Sequence, residues 1–539
     1  MQKVQSDQWW RGATIYQIYP RSFSDSNNDG VGDLRGITRK LDYIAELGVD
    51  GIWISPFFTS PMHDFGYDVS DYCDVDPIFG SLEDFDDLVA KAHQLDLRVI
   101  IDQVYSHTSS EHPWFQESRT SKTGTKSDWY VWADAKPDGT PPTNWQSNFS
   151  GPAWTWDNRR KQYYLHNFLS TQPDLNLHNP EVQDAILDVA RFWLNRGVDG
   201  FRLDAINHAM HDESLRDNPA VENTDLLASR PFMMQEQRYN LSHPGVPEFL
   251  KKVRETTNSY GDIFTVAEVG GMNPVPVMKS YTKGSDALSS AYSFEFLGLP
   301  EPIAGAVKSL LQLWPGEPDE GWPSWAFSNH DVPRVASRWG KGEKTAEQSK
   351  LYLLLLSCLR GNLFIYQGEE LGLPQGEVPF EALQDPEAIA NWPDTLGRDG
   401  SRTPFPWNSS TLNAGFSESS TWLPVDAAQR AMSVETQLDQ SNSILSFFKR
   451  SMSIRRQYEA LRRGALELVE APEQLLAFVR KTEQQQLLCV FNLSGESIEW
   501  EPRELEKGRR LHSLGVNESM ETIPRVLPPQ SGYISLLED

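Results

Sequence analysis

The sequence predicts an α/β fold, an eight-stranded (β/α)8 TIM barrel with an inserted subdomain after strand three and a C-terminal antiparallel β domain. Two observations predict the barrel. Short β-branched or apolar runs alternate with longer amphipathic stretches, which is typical of βα units around a parallel sheet. Eight such strand candidates occur before residue 370, and eight βα units close naturally into a barrel.

The eight candidate strands can be placed along the chain in order. They cover residues 13–19, 51–57, 97–104, 198–205, 263–269, 289–296, 324–327 and 362–366. The tetrapeptide Gly-Val-Asp-Gly occurs at 48–51 and again at 197–200, each time between a helix end and a strand start. This echo supports a repeated βα unit.

Capping residues predict the helices between these strands. Ser81 with Asp84 three residues later marks one helix start, and Asn179 followed by Pro180 marks another. Gly48 stands where a helix C-cap glycine belongs. It follows an apolar stripe at helical spacing, formed by Ile37, Leu41, Ile44 and Leu47.

Two parts of the chain do not follow the βα alternation. Residues 105–175 are rich in Trp, Asp, Gly and Pro and show no clear helix, so we expect an inserted subdomain beside the barrel mouth. After a last amphipathic helix near 443–461, short strand-like runs such as 487–492 predict a C-terminal β domain. The predicted division is barrel 1–104, inserted subdomain 105–175, barrel 176–461 and C-terminal β domain 462–539.

Charge and cysteine content exclude several classes of partner. The 49 Lys and Arg against 75 Asp and Glu leave a net charge of −26, which repels nucleic acid and anionic membranes. Three cysteines are too few for a disulfide scaffold, and no apolar run approaches the ~20 residues of a membrane span. We therefore expect a cytoplasmic monomer or homodimer whose thiols are reduced, namely Cys73, Cys358 and Cys489.

Acidic side chains fall at the ends of successive predicted strands, where barrel enzymes carry their chemistry. Asp204 ends the fourth strand, Glu268 lies in the fifth and Asp331 follows the seventh. A single such Asp is usually a helix cap or a solvated loop residue, whereas three together predict a site. Two carboxyl groups that flank a bond are what glycosidic cleavage requires.

The surroundings of the first two carboxylates indicate different roles. Arg202 lies two residues from Asp204 on the same strand face, which we expect to lower the pKa of Asp204 and favour a nucleophile. Apolar neighbours surround Glu268, so we expect burial to raise its pKa and suit it to donate a proton.

These residues resemble the conserved regions of glycoside hydrolase family 13, the α-amylase superfamily. The resemblance runs essentially end to end and rests on Gly200-Phe-Arg-Leu-Asp204, Ala267-Glu268 and Asn329-His330-Asp331. Three further segments are similar more narrowly to its α-glucosidase and oligo-1,6-glucosidase branch. They are residues 10–23, Gln172-Pro-Asp-Leu-Asn176 and Arg402-Thr-Pro-Phe-Pro-Trp407.

The resemblance implies a role for each residue of the site. Asp204 is the implied nucleophile, Glu268 the general acid/base, and Asp331 the carboxylate that holds sugar hydroxyls and stabilises the transition state. The implied substrate-binding residues are Asp64, Tyr67, His107, Arg202, His330 and Arg398, with Phe149 and Phe168 on the leaving-group side. Asp64 is implied to pair with Arg398, or with Arg402 of the same short motif. Such a pair closes the pocket at a blind end and implies exo-acting cleavage.

The resemblance implies a retaining exo-α-glucosidase that acts on small α-glucosides and also transfers glucosyl groups. Maltose and maltooligosaccharides are the expected substrates, with sucrose and isomaltose as further candidates. Ala205 favours α-1,4 bonds, because Val at this position accompanies α-1,6 preference in the branch. Glucosyl transfer of the sucrose isomerase or trehalose synthase type is the first alternative, and a non-catalytic binding subunit is the second. No redox or nucleotide cofactor is implied.

An acidic loop near the N-terminus suits a hard divalent cation. Its candidate ligands are Asp25, Asn27, Asp29 and Asp33. The loop is not an EF-hand, because Gly36 stands where an EF-hand has a bidentate Glu. The resemblance implies one structural Ca²⁺ or Mg²⁺ here, with the backbone carbonyl of Val31 as a further ligand. The alternative is an Asx-rich turn without metal.

Overall fold

Twenty β-strands and fourteen α-helices occur in the described part of the computed structural model, which covers residues 8–149, 151–222, 230–314, 321–340, 342, 345–395, 397–501, 508–516 and 523–537. The strands are β1 Thr14–Ile18, β2 Gly51–Ile54, β3 Phe58–Thr59, β4 Asp71–Val75, β5 Arg98–Val104, β6 Trp132–Ala133, β7 Trp154–Asp157, β8 Gln162–Leu165, β9 Gly200–Asp204, β10 Phe264–Val269, β11 Ser290–Ser293, β12 Ser324–Ala326, β13 Asn362–Tyr366, β14 Ala465–Leu468, β15 Leu475–Lys481, β16 Gln486–Asn492, β17 Ile498–Glu499, β18 Gly508–Leu514, β19 Val526–Leu527 and β20 Ser531–Leu537. The helices are α1 Leu34–Glu46, α2 Leu82–Gln94, α3 Pro113–Ser118, α4 Pro180–Leu194, α5 Val246–Asn258, α6 Pro274–Thr282, α7 Ala304–Leu313, α8 Val335–Arg338, α9 Thr345–Cys358, α10 Pro386–Asn391, α11 Ala427–Ala431, α12 Val434–Leu438, α13 Ile444–Gln457 and α14 Glu459–Arg462.

Eight parallel strands form the central sheet, in the order β11-β10-β9-β5-β2-β1-β13-β12. Their register brings strand ends together, since Gly200 of β9 pairs with Ile100 of β5 on one side and with Phe264 of β10 on the other. A parallel bridge between Ala291 of β11 and Pro323, just before β12, closes the sheet on itself. Each of the eight predicted strands overlaps one of these, so the predicted barrel is confirmed.

The capping residues set the helix boundaries as predicted. Ser81 and Asp84 form a reciprocal capping box at the start of α2, in which each side chain accepts the other's backbone N–H. Asn179 caps α4, and Pro180 occupies its first turn. Gly48 has a φ of +81°, a left-handed conformation that costs glycine little, and it turns the chain from α1 towards β2.

A small antiparallel sheet in the order β6-β8-β7 lies between β5 and α4 in the chain. Bridges from His107 to Asp174 and from Tyr130 to Leu175 tie the start of this insert to its end. The insert also contains the six-residue helix α3, although its sequence shows no clear helical pattern. A helix of that length is too short to show a periodic apolar stripe in the sequence.

The C-terminal strands form an antiparallel sheet in the order β14-β15-β16-β20-β18, with β17 and β19 as a separate pair. Helix α9 contacts α13 as well as β16, β18 and β20. It is buried on every side from Gln348 to Cys358, which explains why its leucine run has no polar face. Arg480 of β15 is also buried and donates to the carbonyls of Cys358 and Gly464 at 2.6 and 2.9 Å.

Two further sequence expectations concern membrane spans and thiols. Among the described residues, no helix combines the length and the apolarity that a bilayer crossing needs. Cys73, Cys358 and Cys489 are free thiols, as predicted.

Candidate active site

A cavity of about 880 Å³ opens at the carboxyl ends of the barrel strands. The three predicted catalytic carboxylates line it, since Asp204 ends β9, Glu268 is the penultimate residue of β10 and Asp331 follows β12. Six of the eight predicted substrate-binding residues also line the cavity: Asp64, Tyr67, His107, Phe149, Phe168 and Arg398. Arg202 and His330 are fully buried and contact lining residues from behind.

Arg202 is the centre of the charge cluster behind the cavity wall. Its Nη1 lies 2.7 Å from Asp102 Oδ1 and 2.5 Å from Asp204 Oδ1, and its Nη2 lies 2.6 Å from Glu268 Oε1. Arg202 and Asp204 meet because alternate residues of a strand point to the same face. Asp102 and Glu268 come from β5 and β10, the two neighbours of β9. One guanidinium therefore serves three carboxylates.

Glu268 is held by two further donors. The Tyr292 hydroxyl donates to Oε1 at 3.1 Å, and the Ala205 backbone N–H donates to Oε2 at 2.9 Å. Ala205 has a φ of +39°, in the left-handed region that non-glycine residues enter only at a cost. This conformation lets the residue after Asp204 direct its N–H to the neighbouring strand.

Burial is the main reason why the pKa values of Asp204 and Glu268 are both raised, each to about 7. Arg202 opposes the rise, whereas neighbouring carboxylates add to it. The expectation that Arg202 lowers the pKa of Asp204 overall is therefore wrong, because Asp204 is buried and shares Arg202 with two other acids. The expected rise at Glu268 is confirmed. Near neutral pH this cluster retains a proton.

The third carboxyl group, that of Asp331, titrates in the opposite direction. Burial raises its pKa, but His330, Arg402 and Arg398 outweigh burial and lower the pKa to about 2. Arg402 Nη2 lies 3.0 Å from Asp331 Oδ1, and Arg398 Nη1 lies 3.5 Å from the same oxygen. Burial also lowers the pKa of His330 to about 3, so the two arginines supply the positive charge at neutral pH. Asp331 therefore stays ionised.

An ion pair between Asp64 and Arg398 forms one wall of the cavity. Arg398 Nη2 donates to Asp64 Oδ1 at 2.9 Å, and Gln172 Nε2 donates to Asp64 Oδ2 at 3.1 Å. Of the two arginines in the short motif, Arg398 is thus the partner of Asp64, while Arg402 binds Asp331. Both residues of the pair are buried, so the ionic contact is shielded from solvent.

Neutral imidazoles support the same wall. The Tyr67 and His330 rings stack with centroids 5.4 Å apart and an interplanar angle of 6°, and Tyr67 Oη lies 2.5 Å from His330 Nε2. His107 Nε2 lies 3.1 Å from the Tyr67 carbonyl oxygen. Burial lowers the pKa of His107 to about 3, so this ring is uncharged at neutral pH and offers hydrogen bonds without a charge.

Phenylalanine and methionine side chains line much of the remaining cavity. The Phe149 ring centroid lies 4.9 Å from Cζ of Arg398, and the Phe168 ring lies 5.1 Å from that of His107. Both predicted aromatic residues therefore contact groups of the Asp64–Arg398 wall. Sequence reasoning did not identify the further phenylalanine and methionine residues of the lining, which are Phe232, Met233, Met272 and Phe294.

The acidic N-terminal loop folds around its own backbone. Each carboxylate accepts N–H groups of the loop: Asp25 from Asn27, Asn28 and Gly30, Asp29 from Val31, and Asp33 from Ser26 and Gly36. Within the described ranges, no three acidic, histidine or cysteine side chains are grouped so as to hold a metal ion. The oxygen donors themselves have the chemistry that a hard divalent cation takes.

Several partners of the site carry little sequence signal. Asp102 lies near the end of the third predicted strand and is visible there as an acid, yet its contact with Arg202 follows only from strand order. Tyr292 lies within β11 and looks like an ordinary strand residue. Asp385 stands at the N-cap of α10, so capping alone explains an Asp at this position and the sequence gives no sign of its contact with Arg398.

Fold and site together place a pair of buried carboxyl groups at the mouth of a (β/α)8 barrel, an arrangement typical of glycoside hydrolases. Residues 17–464 match the family described as alpha amylase, catalytic domain, and residues 466–534 match the maltogenic amylase C-terminal domain. The chain belongs to the α-amylase family.

Relatives and solved structures match nearly the whole chain. A probable alpha-glucosidase of Rhizobium meliloti (strain 1021) is 52% identical over 496 residues, which cover 91% of this chain and 90% of that protein. The probable oligo-1,6-glucosidase 3 of Bacillus subtilis (strain 168) is 38% identical over 515 residues, covering 90% and 91%. The structure of the alpha-glucosyl transfer enzyme XgtA has a TM-score of 0.94 and 47% identity, covering 99% of this chain and 100% of that one.

Proposed function

We propose that this chain is a retaining exo-α-glucosidase that releases α-glucose from the non-reducing end of short α-glucosides. The observation that carries the proposal is that Asp204 and Glu268 share one guanidinium beside the Asp64–Arg398 wall. Two carboxyl groups that share one guanidinium can act on the same glycosidic bond, one as nucleophile and the other as acid/base, as in retaining glycosidases. The glucosidase names of the relatives support the same activity.

In the first step the Asp204 carboxylate attacks the anomeric carbon of the glucosyl unit. The bond from that carbon to the leaving oxygen breaks, and Glu268 gives its proton to this oxygen. The raised pKa of Glu268 supplies the proton near neutral pH. Asp204 is ionised when Glu268 holds the shared proton, because two adjacent negative charges repel. The product is a glucosyl ester of Asp204.

In the second step Glu268 is a carboxylate and takes a proton from water. The water oxygen displaces Asp204 from the anomeric carbon, which releases glucose with its α configuration retained. A sugar hydroxyl in place of water gives a new glucoside through the same exchange of bonds. The printed name of XgtA, an alpha-glucosyl transfer enzyme, supports such transfer as a second outcome for this chain.

The glucosyl unit is held by polar groups on the Asp64–Arg398 side. Asp64, Tyr67, His107 and Arg398 line the cavity and bind sugar hydroxyls, and ionised Asp331 stabilises positive charge at the anomeric carbon. Arg202 and His330 contribute from behind by orienting Asp204 and Tyr67. The Asp64–Arg398 wall ends the glucosyl subsite, so cleavage proceeds one residue at a time.

Ala205 favours maltose-type α-1,4 bonds over α-1,6 bonds. The preference is modest, because a difference of methyl size shifts selectivity by only ~1–3 kcal/mol. Oligo-1,6-glucosidases among the relatives, such as the 38% identical protein of Bacillus subtilis, make isomaltose the substrate to compare.

Proton NMR of the purified protein with maltose, isomaltose and sucrose in parallel tests these points. Initial α-glucose from maltose, ahead of isomaltose, is the expected result. A first product in the β configuration would contradict retention, and a preference for isomaltose would reverse only the linkage assignment.

Glucosyl transfer of the sucrose isomerase or trehalose synthase type is the alternative function. The trehalulose synthase MutB of Pseudomonas mesoacidophila MX-45 has a TM-score of 0.91 at 29% identity, covering 99% of this chain and 100% of that one. This identity is below that of the glucosidases, which favours glucosidase activity over sucrose isomerisation. If disaccharide isomers are the dominant product from sucrose in the NMR experiment, sucrose isomerisation becomes the favoured function.

We also propose that the Asp25–Asp33 loop binds one Ca²⁺ or Mg²⁺ ion. Side-chain oxygens of Asp25, Asn27, Asp29 and Asp33, with the Val31 carbonyl, would hold it. The ion would supply structural crosslinking of the loop, and no catalytic step depends on it.

Titration calorimetry of the chelated protein with Mg²⁺ and Ca²⁺ tests the metal proposal. One binding event per chain and a lower Tm after chelation are expected. If the wild type shows neither the binding event nor the lower Tm, the metal proposal is wrong. Hydrogen bonds to the loop's own backbone would then be sufficient to explain its acidic residues.

A further inference from the structure

The carboxylate of Asp385 lies directly behind Arg398, outside the cavity. Asp385 has no exposed surface and is absent from the described residues that line the cavity, whereas Arg398, Asp64 and Asp331 are present. It accepts two bonds from the Arg398 guanidinium, from Nε to Oδ2 at 3.1 Å and from Nη2 to Oδ1 at 2.8 Å. Such a two-point contact fixes the plane of the guanidinium as well as its distance.

The same carboxylate also anchors the main chain of Arg398. The Arg398 backbone N–H donates to Asp385 Oδ2 at 2.7 Å. Gly397 permits this close approach, because its φ is +62° and a Cβ at this position would stand 2.7 Å from Asp385 Oδ2. One buried acid therefore determines both where the Arg398 backbone lies and how its side chain is oriented.

The edge of the guanidinium away from Asp385 faces the cavity. Nη2 also donates to Asp64 Oδ1 at 2.9 Å, while Nη1 lies 3.5 Å from Asp331 Oδ1. We infer that Asp385 is a positioning residue of the glucosyl subsite, which acts through Arg398 to place Arg398 and Asp64 against the hydroxyls at the non-reducing end. This inference rests on the function proposed above.

An Asp385→Asn substitution removes this control without changing the size of the side chain. The amide group turns an N–H donor towards the donors of Arg398, so at least one of them loses its acceptor. Arg398 is then free to turn towards Asp331, where Arg402 is already bound at 3.0 Å. The contact between Arg398 and Asp64 is thereby weakened, and the wall of the subsite with it.

The test is a double-mutant cycle read out as the Kd of 1-deoxynojirimycin, a glucose-shaped iminosugar, by calorimetry. Wild type, Asp385→Asn, Arg398→Ala and the double variant are compared. Each single variant is expected to weaken binding on the order of 10-fold or more, as for loss of a charged hydrogen bond. The double variant should bind no more weakly than Arg398→Ala, because the proposed effect of Asp385 on the ligand is exerted through the Arg398 side chain.

Asp199→Asn is the matched control for loss of a buried, ion-paired carboxylate. Asp199 bonds Arg98 at 2.9 Å and His93 at 2.7 Å, and it precedes β9 at the opposite end of the barrel. This control should lower Tm and leave the Kd unchanged. A wild-type Kd in Asp385→Asn, or losses that multiply in the double variant, would overturn the positioning role.

Two further arrangements keep the test decisive. If Asp385→Asn does not fold, Asp385→Glu keeps the buried charge while its longer side chain displaces the guanidinium, and the same cycle applies. Turnover of p-nitrophenyl α-glucoside is measured separately on the wild type. Absence of turnover would contradict the proposed glucosidase activity, whereas the iminosugar cycle would still decide the role of Asp385. A wild type that binds no iminosugar would overturn both the proposed activity and the positioning role.

Discussion

Ala205 donates its backbone N–H to Glu268 Oε2 at 2.9 Å from a left-handed conformation with a φ of +39°. The residue after the proposed nucleophile thus holds the proposed acid in place. Because this contact comes from the main chain, the side chain at position 205 controls it only through the backbone angles that it permits.

Substitution of Ala205 by Val should disturb this contact, whereas substitution by Gly should not. A β-branched side chain disfavours the left-handed region, so Ala205→Val is expected to cost roughly 1–3 kcal/mol of unfolding free energy. The kcat/KM for maltose should fall more than that for isomaltose. Urea unfolding and parallel kinetics with Ala205→Gly as the control measure both effects; equal stability of the two variants would contradict the strain argument.

Replacement of Glu268 by Gln should remove the proton donor without removing the nucleophile. We expect kcat/KM for maltose to fall by roughly 10²–10⁴, as for loss of a general acid. A dinitrophenyl α-glucoside, whose leaving group needs no proton, should lose far less in the first step. Stopped-flow release of dinitrophenol reports that step, and an equal loss on both substrates would reject Glu268 as the acid.

The pH dependence of activity follows from the same group. Because the reaction needs protonated Glu268, whose pKa is raised to about 7, wild-type kcat/KM should decline as pH rises above about 7. Glu268→Gln measured with the dinitrophenyl substrate should lose this alkaline limb. A limb that persists unchanged in the variant would assign it to another group.

Glu268 should also make the folded protein less stable as pH rises. Its folded pKa lies above its unfolded value, so the folded state binds more protons between about pH 4.5 and 7 and stability falls over that window. Relative to wild type, Glu268→Gln should therefore gain on the order of 1–3 kcal/mol between pH 5 and pH 8. Denaturant titrations at the two pH values measure this gain.

Asp331→Asn provides the control of opposite sign. The folded pKa of Asp331 is lowered to about 2, so its ionised form stabilises the protein above the unfolded pKa. This variant should be less stable than wild type at neutral pH. A stabilised Asp331→Asn would contradict the assignment of Arg402 and Arg398 as its charge partners.

The Asp33 side chain should contribute stability as a helix cap whether or not a metal ion binds. It accepts the Gly36 N–H at the start of α1, so Asp33→Ala is expected to cost about 1 kcal/mol, while Asp33→Asn keeps the cap. Thermal unfolding in chelator compares the two variants. If the Tm of Asp33→Asn falls to that of Asp33→Ala only when Mg²⁺ or Ca²⁺ is present, Asp33 is a metal ligand as well as a helix cap.

The barrel could be predicted because its signals are local. A strand such as β13 is a short apolar run, and α2 begins with a capping box that involves only Ser81 and Asp84. The three carboxylates could be predicted for a related reason, since parallel strands bring their carboxyl ends to one edge and the residues there must face one another.

The charge states of the site could not be predicted from local sequence signals. Arg202 is next but one to Asp204 in sequence, which indicates a lowered pKa for Asp204. The partners that reverse this outcome, Asp102 and Glu268, come from separate strands, and burial becomes known only when the barrel closes. The position of Asp385 behind Arg398 likewise depends on the path of a loop that has no periodic pattern.

The bridge between Ala291 and Pro323 has a consequence for local opening of the barrel. It joins β11 to the residue before β12, and proline brings no N–H to this seam. Glu268 stands one strand away on β10, and Asp331 follows β12 on the other side. A glucosyl unit that contacts both Glu268 and Asp331 would link the two sides of the seam. Amide hydrogens of β11 and β12 should therefore exchange more slowly when a glucoside occupies the cavity.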